Sequence, residues 1–206
     1  MLEEIWPAEL HVLFVGLVAT EPSPTLGYHH LHPRDRFWEL LEISSISAAR
    51  VISKEERKAM AEGHARGNIT DPVRQIFLEK KTSQLVRQGI GMTYLHAGDA
   101  CDTEKDKNAR PADAEVRTFL DACSKRPPRV IGFHIEPPLF GELFRGLVPA
   151  TSSTPGKQDF TIGSSEVWLL GSTQAALKGD ALLAQEDLFF ALGERLSELR
   201  GGGGAS

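Results

Sequence analysis

The sequence predicts an α/β protein, a three-layer sandwich in which a short four-stranded parallel sheet lies between helices. Three observations carry this. Four segments are short, mostly apolar and bounded by Gly, Pro or polar residues, as buried strands are: residues 11–16 (HVLFVG), 91–96 (GMTYLH), 129–133 (RVIGF) and 166–170 (EVWLL). The stretches between them carry helical periodicity, and strands separated by helices pair in parallel through crossovers. With 206 residues, 41% hydrophobic and 25% charged, the chain has room for one sizeable core, so residues 1–200 read as a single domain.

The first strand ends on Gly16 and runs into a loop, residues 17–34, that holds Pro, Ser, Tyr and three His. Open α/β folds bind ligands at the carboxyl edge of the sheet, which is where this loop begins. Beyond it, Phe37, Trp38, Leu40 and Leu41 read as core. Ser53 and Glu56 make a capping box that opens a helix at Lys54. Asp71 and Pro72 make an N-cap and first-turn proline for a second helix, which carries Val73, Ile76 and Phe77 and stops at Gly89. Pro111 opens a third, with Val116, Phe119, Leu120 and Cys123 on one face, and Leu188, Leu192, Leu196 and Leu199 stripe the last. Residues 150–156 read as a surface loop and residues 201–206 as a flexible tail.

Composition bounds the function classes. The apolar run near residues 12–19 falls far short of the roughly 20 residues that span a bilayer, and Glu3 and Glu4 stand where a signal peptide would be basic, so no membrane partner and a cytoplasmic location are expected. A monomer is expected. Cys101 and Cys123 lack metal-ligand spacing and read as free thiols. The adjacent pair His29 and His30, with His32, would point apart in an extended loop and lack a carboxylate ligand, so no metal site is expected. A formal charge of −5 argues mildly against nucleic acid, although a local basic rim suffices for an enzyme that reads one extruded nucleotide. Arg34, Arg36, Lys157 and Lys178 are the rim candidates.

The block from residue 2 to residue 38 resembles the mismatch-specific uracil/thymine-DNA glycosylases without a gap. The resemblance returns in residues 88–95 (QGIGMTYL), 128–133 (PRVIGF) and 160–170 (FTIGSSEVWLL), in the order of that family's strands. Residues 49–85 have no counterpart, so the two helices there read as an insertion. The resemblance implies a uracil-DNA glycosylase-like fold, DNA containing uracil as partner, no cofactor, and hydrolysis of the N-glycosidic bond of a flipped base in DNA repair. The family's first motif, G-I-N-P-G, falls on Gly16, Leu17, Val18, Ala19 and Thr20, so its water-positioning Asn becomes Val18, which holds no water by hydrogen bond. The second, N-P-S-G-L-S-R, falls on residues 172–178, where Ser172 replaces the Asn and Lys178 the Arg. His30 stands where the family stacks an aromatic ring on the base, and imidazole can stack there too.

Such chemistry needs donors aimed at the departing base and a water held beneath the sugar. Glu21 is the carboxylate nearest the first motif and is the expected water activator, with Ser172 as the second catalytic residue. Gly16, Leu17, Val18, Ser23, Tyr28 and His30 are expected to line the base pocket. Thr173, Gln174, Leu177 and Lys178 are expected to meet DNA, Leu177 as a wedge and Lys178 on a phosphate. Structural alternatives stand beside each: Glu21 as a solvated loop carboxylate, residues 172–178 as a polar strand-to-helix loop, Leu177 as helix packing. Two other functions remain open. One is a catalytically silent glycosylase-like protein that binds DNA or a partner; the other is a hydrolase of small nucleosides.

Overall fold

The structure, a computed structural model, describes residues 4–19, 23–26, 28–32, 35–48, 51–68, 70–96, 110–149, 154–174 and 177–201. Strands β1 (Val12–Gly16), β2 (Ile90–Tyr94), β3 (Val130–Phe133), β4 (Gly156–Ile162) and β5 (Ser165–Leu169) form one sheet in the order β2-β1-β3-β5-β4. The helices are α1 (Ser23–Leu26), α2 (Phe37–Ile43), α3 (Lys54–Ala65), α4 (Asp71–Arg87), α5 (Asp113–Lys125), α6 (Pro137–Leu143) and α7 (Asp180–Gly201).

The expected sheet of four parallel strands is corrected to a mixed sheet of five. β2, β1, β3 and β5 are the predicted strands and run parallel, with Gly16 opposite Tyr94 and Phe133 opposite Leu169. β4 joins antiparallel to β5 at the edge. Its sequence, GKQDFTI, alternates buried and exposed residues, the pattern of a strand with one solvated face. Lys, Gln and Asp are poor strand formers, which hid it. Gly163, at φ 60°, supplies the left-handed residue that closes the hairpin between β4 and β5.

Alternation along the strands divides the core in two. Val12, Phe14, Ile90, Met92, Val130 and Trp168 face one cluster, shared with α2, α3, α4 and α7. Leu13, Val15, Ile131, Phe133, Val167 and Leu169 face the other, shared with α5 and α6. Helices therefore cover both faces, and the apolar residues expected in α2, α5 and α7 supply much of that cover. In α4, however, Val73 and Ile76 are exposed, and the helix packs through the expected Phe77 together with Leu78 and Leu85. Its N-cap is Thr70, one residue earlier than expected, with Pro72 in the first turn. The α3 capping box forms as the sequence predicts, Ser53 Oγ accepting from the Glu56 N–H while Glu56 accepts from the Ser53 N–H. No helix among the described residues is long and apolar enough to cross a membrane.

Candidate functional site

The carboxyl ends of β1, β2, β3 and β5 bring together Gly16, Tyr94, His134 and the segment Gly171 to Gln174, and the loop after β1 folds over them. That loop is pinned from within. The Ser23 hydroxyl accepts the Leu31 N–H at 2.8 Å, and the Trp38 indole donates to the His30 carbonyl at 3.0 Å. Arg57 of α3, only 4% exposed, donates to the carbonyls of His32 at 3.1 Å and Asp35 at 2.5 Å. Helix α3 thus clamps the loop that carries the site.

At the centre lie His30 and Asp35. His30 Nδ1 is 2.8 Å from Asp35 Oδ2, with the two side chains 7% and 0% exposed. Asp35 also accepts from the Phe37 N–H at 2.9 Å, and the Thr173 side chain bonds to it. Burial pushes the Asp35 carboxyl upward, but the His30 charge and the donors from His30, Thr173 and Phe37 outweigh it and hold it well below the usual carboxylate range. Asp35 is therefore ionised at neutral pH, and its carboxylate faces His30 Nδ1 as a hydrogen-bond acceptor. The His30 ring stacks on Phe37 with centroids 4.0 Å apart and meets the His134 ring edge-on at 5.4 Å. His30 is a non-glycine residue at φ 52°, a strained conformation that the surrounding contacts hold.

His134 lies in the core between Phe14 and Phe189. Burial pushes its imidazole down to about 3, reinforced by His30 and opposed by Asp35, so it is neutral. Tyr94 lies across Gly16: a Cβ on that glycine would sit 2.5 Å from the tyrosine ring, and His29 stacks on the same ring at 5.2 Å. Glu136, the residue before α6, accepts the Ser172 N–H at 3.2 Å, which places a carboxylate beside the second motif.

The expected site residues fall into three groups. Gly16, Ser23, Tyr28, His30, Ser172, Thr173 and Gln174 gather at this edge. Two contacts join the motif blocks: the Arg36 N–H donates to the Thr173 carbonyl at 3.0 Å, and Gln174 Nε2 lies 3.5 Å from Asp35 Oδ2. Leu17 and Val18 are buried, Leu17 in the second core cluster. Leu177 is half-buried and Lys178 exposed. Glu21, Arg34 and Cys101 lie outside the described residues. Of the basic rim, Arg36 pairs with Glu39 and Glu186, and Lys157 sits on the edge strand β4 against Glu166. Cys123 is buried, and burial pushes its thiol up to about 12, which makes it a poor nucleophile.

A cleft of about 680 Å³ opens beside this edge, between the N-terminal segment, the Tyr28–His29 step and α4. Tyr28 enters its wall stacked on Trp38. Asp35, Tyr94, His134, Arg57 and Glu136 were not singled out by the sequence. Asp35 stands only five residues after His30, and His134 directly follows an apolar strand, as the loop after Gly16 does. No model of a known protein family matches the chain.

Proposed function

We propose that this protein is a glycosylase-like hydrolase with a uracil-DNA glycosylase-type fold, which breaks the N-glycosidic bond of uracil in DNA after flipping the base to the carboxyl edge of its parallel strands. One observation carries the reading. The two blocks that resemble the glycosylase motifs lie far apart in sequence, yet Arg36 hydrogen bonds to Thr173 and the Thr173 side chain bonds to Asp35. Such convergence at strand ends is where α/β proteins assemble ligand sites. Backbone N–H groups at the end of β1 stabilise the departing base anion whichever side chain occupies position 18. The exposed Lys178 and half-buried Leu177 take the phosphate and wedge roles.

A second reading has its own observation. The Tyr94 ring closes over Gly16 and His30 already stacks on Phe37, so a protein with a filled pocket would bind DNA or a partner without catalysis. An alkali-cleavage assay on end-labelled single and double strands containing one uracil separates the two. The hydrolase leaves an abasic, alkali-labile strand, whereas strands intact after prolonged incubation with excess protein establish the silent reading.

A further inference from the structure

We propose that His30 is the general base of this hydrolysis, taking a proton from the attacking water at Nε2 while Asp35 acts as the positioning residue at Nδ1. The inference rests on the hydrolase reading above and names the group that replaces the family's water-positioning Asn.

Two contacts fix the imidazole, Asp35 on its edge at 2.8 Å and Phe37 on its face with centroids 4.0 Å apart, and the Trp38 indole holds the backbone carbonyl of the same residue at 3.0 Å. Here no hydrogen bond from a described residue reaches Nε2, and the side chain keeps 7% exposure. An ionised carboxylate on Nδ1–H leaves Nε2 as a lone-pair acceptor, which is the state a base requires. The left-handed backbone at His30 is strain of the kind held at functional sites.

The step balances. The bond from the sugar C1′ to uracil N1 breaks, and its electron pair leaves on the base. Water oxygen bonds C1′ and its proton passes to Nε2, from which it goes on to the uracil anion or to solvent. The charged and titratable groups around His30 are Asp35 on its own loop, Arg57 of α3 on the Asp35 carbonyl, Tyr94 at the end of β2, His134 after β3 and the neighbouring His29. His134 stays neutral in the working range, so it does not compete for the proton.

The test is single-turnover uracil release against pH for the wild type and for His30→Gln, Asp35→Asn and Glu21→Gln, with the His30 titration followed by NMR. A base gives a rate that rises with pH, with its midpoint at the NMR titration of His30. Gln keeps an amide for Asp35 but takes no proton, so His30→Gln lowers the rate by about 10²-fold or more and removes the limb. Asp35→Asn lowers the plateau and moves the midpoint to lower pH, because a neighbouring negative charge is lost. Glu21→Gln lowers the rate less than His30→Gln does and leaves the limb in place. A limb that falls with pH, or His30→Gln within a few-fold of wild type, overturns the assignment and leaves the hydrolase standing. Collapse of Glu21→Gln alone moves the base to Glu21. A wild type that releases no uracil overturns the hydrolase and this step together. The wild-type limb and NMR titration need no variant, so they decide even where a variant fails to fold.

Discussion

At the scale of single residues, the site edge is built by close approach. Gly16 admits the Tyr94 ring, and a Cβ there would stand 2.5 Å from it. Gly16→Ala should therefore lower stability by about 1–3 kcal/mol through overpacking, and Tyr94→Ala in the same chain should make the added methyl nearly harmless; paired thermal melts measure both. Val18 is 2% exposed, so Val18→Asn places an amide in a sealed position at a cost of about 1–3 kcal/mol unless it finds a partner. A lower melting temperature is the expected result. Unchanged stability together with unchanged uracil release would show that residue 18 does not face the reacting base.

His134 adds a pH dependence. Its folded pKa of about 3 lies below the ordinary value of about 6.5, so the unfolded chain binds a proton that the folded chain refuses. Stability from this group is complete above the ordinary value and is lost as pH falls toward 3, by at most about 1.4 kcal/mol per pH unit. Asp35 acts with the same sign in a lower window: its contribution is present above the ordinary carboxylate range and is lost below it. His134→Leu should flatten the upper part of this acid limb in urea titrations. A limb of unchanged slope would mean that His134 is protonated inside the fold.

At the scale of elements, α3 earns its place through one side chain. Arg57 reaches out of that helix to two carbonyls of the site loop, and bonds from a charged donor contribute about 1.5–3 kcal/mol each. Arg57→Met keeps much of the volume and removes the bonds, so the loop should loosen. Hydrogen exchange at residues 28–32 should quicken and uracil release should slow, whereas unchanged exchange would deny the clamp. Legibility from sequence also divides by element. The four parallel strands were readable because both their faces are buried, which makes continuous apolar runs. The edge strand β4 was not, because its solvated face is Lys157, Asp159 and Thr161. The exposed Val73 and Ile76 misled in the opposite direction: an apolar pattern marks a helix, but which turns it buries depends on the neighbours. The His30–Asp35 pair was legible only as nearby residues, since the φ of 52° that brings the ring to the carboxylate has no sequence signature in a non-glycine residue.

At the scale of the whole molecule, a five-stranded sheet covered by helices on both faces carries loops from four parallel strands to one edge, where the ionised Asp35 carboxylate, His30 and the segment Gly171 to Gln174 meet. The chain is acidic overall, with a formal charge of −5, so the proposed function requires that attraction to DNA come from local cations such as Lys178. Lys178→Glu should accordingly weaken binding to strands of any sequence and lessen its salt dependence, as fluorescence anisotropy over a salt series would measure. An unchanged salt slope would remove Lys178 from the phosphate contact.

The most direct measurement is mass spectrometry of the free base after excess protein is incubated with single- and double-stranded DNA containing one uracil, in EDTA. The account predicts free uracil in amounts that match the abasic strand formed, with release slowed by His30→Gln. No free uracil from either substrate, with the strand recovered intact, would contradict it.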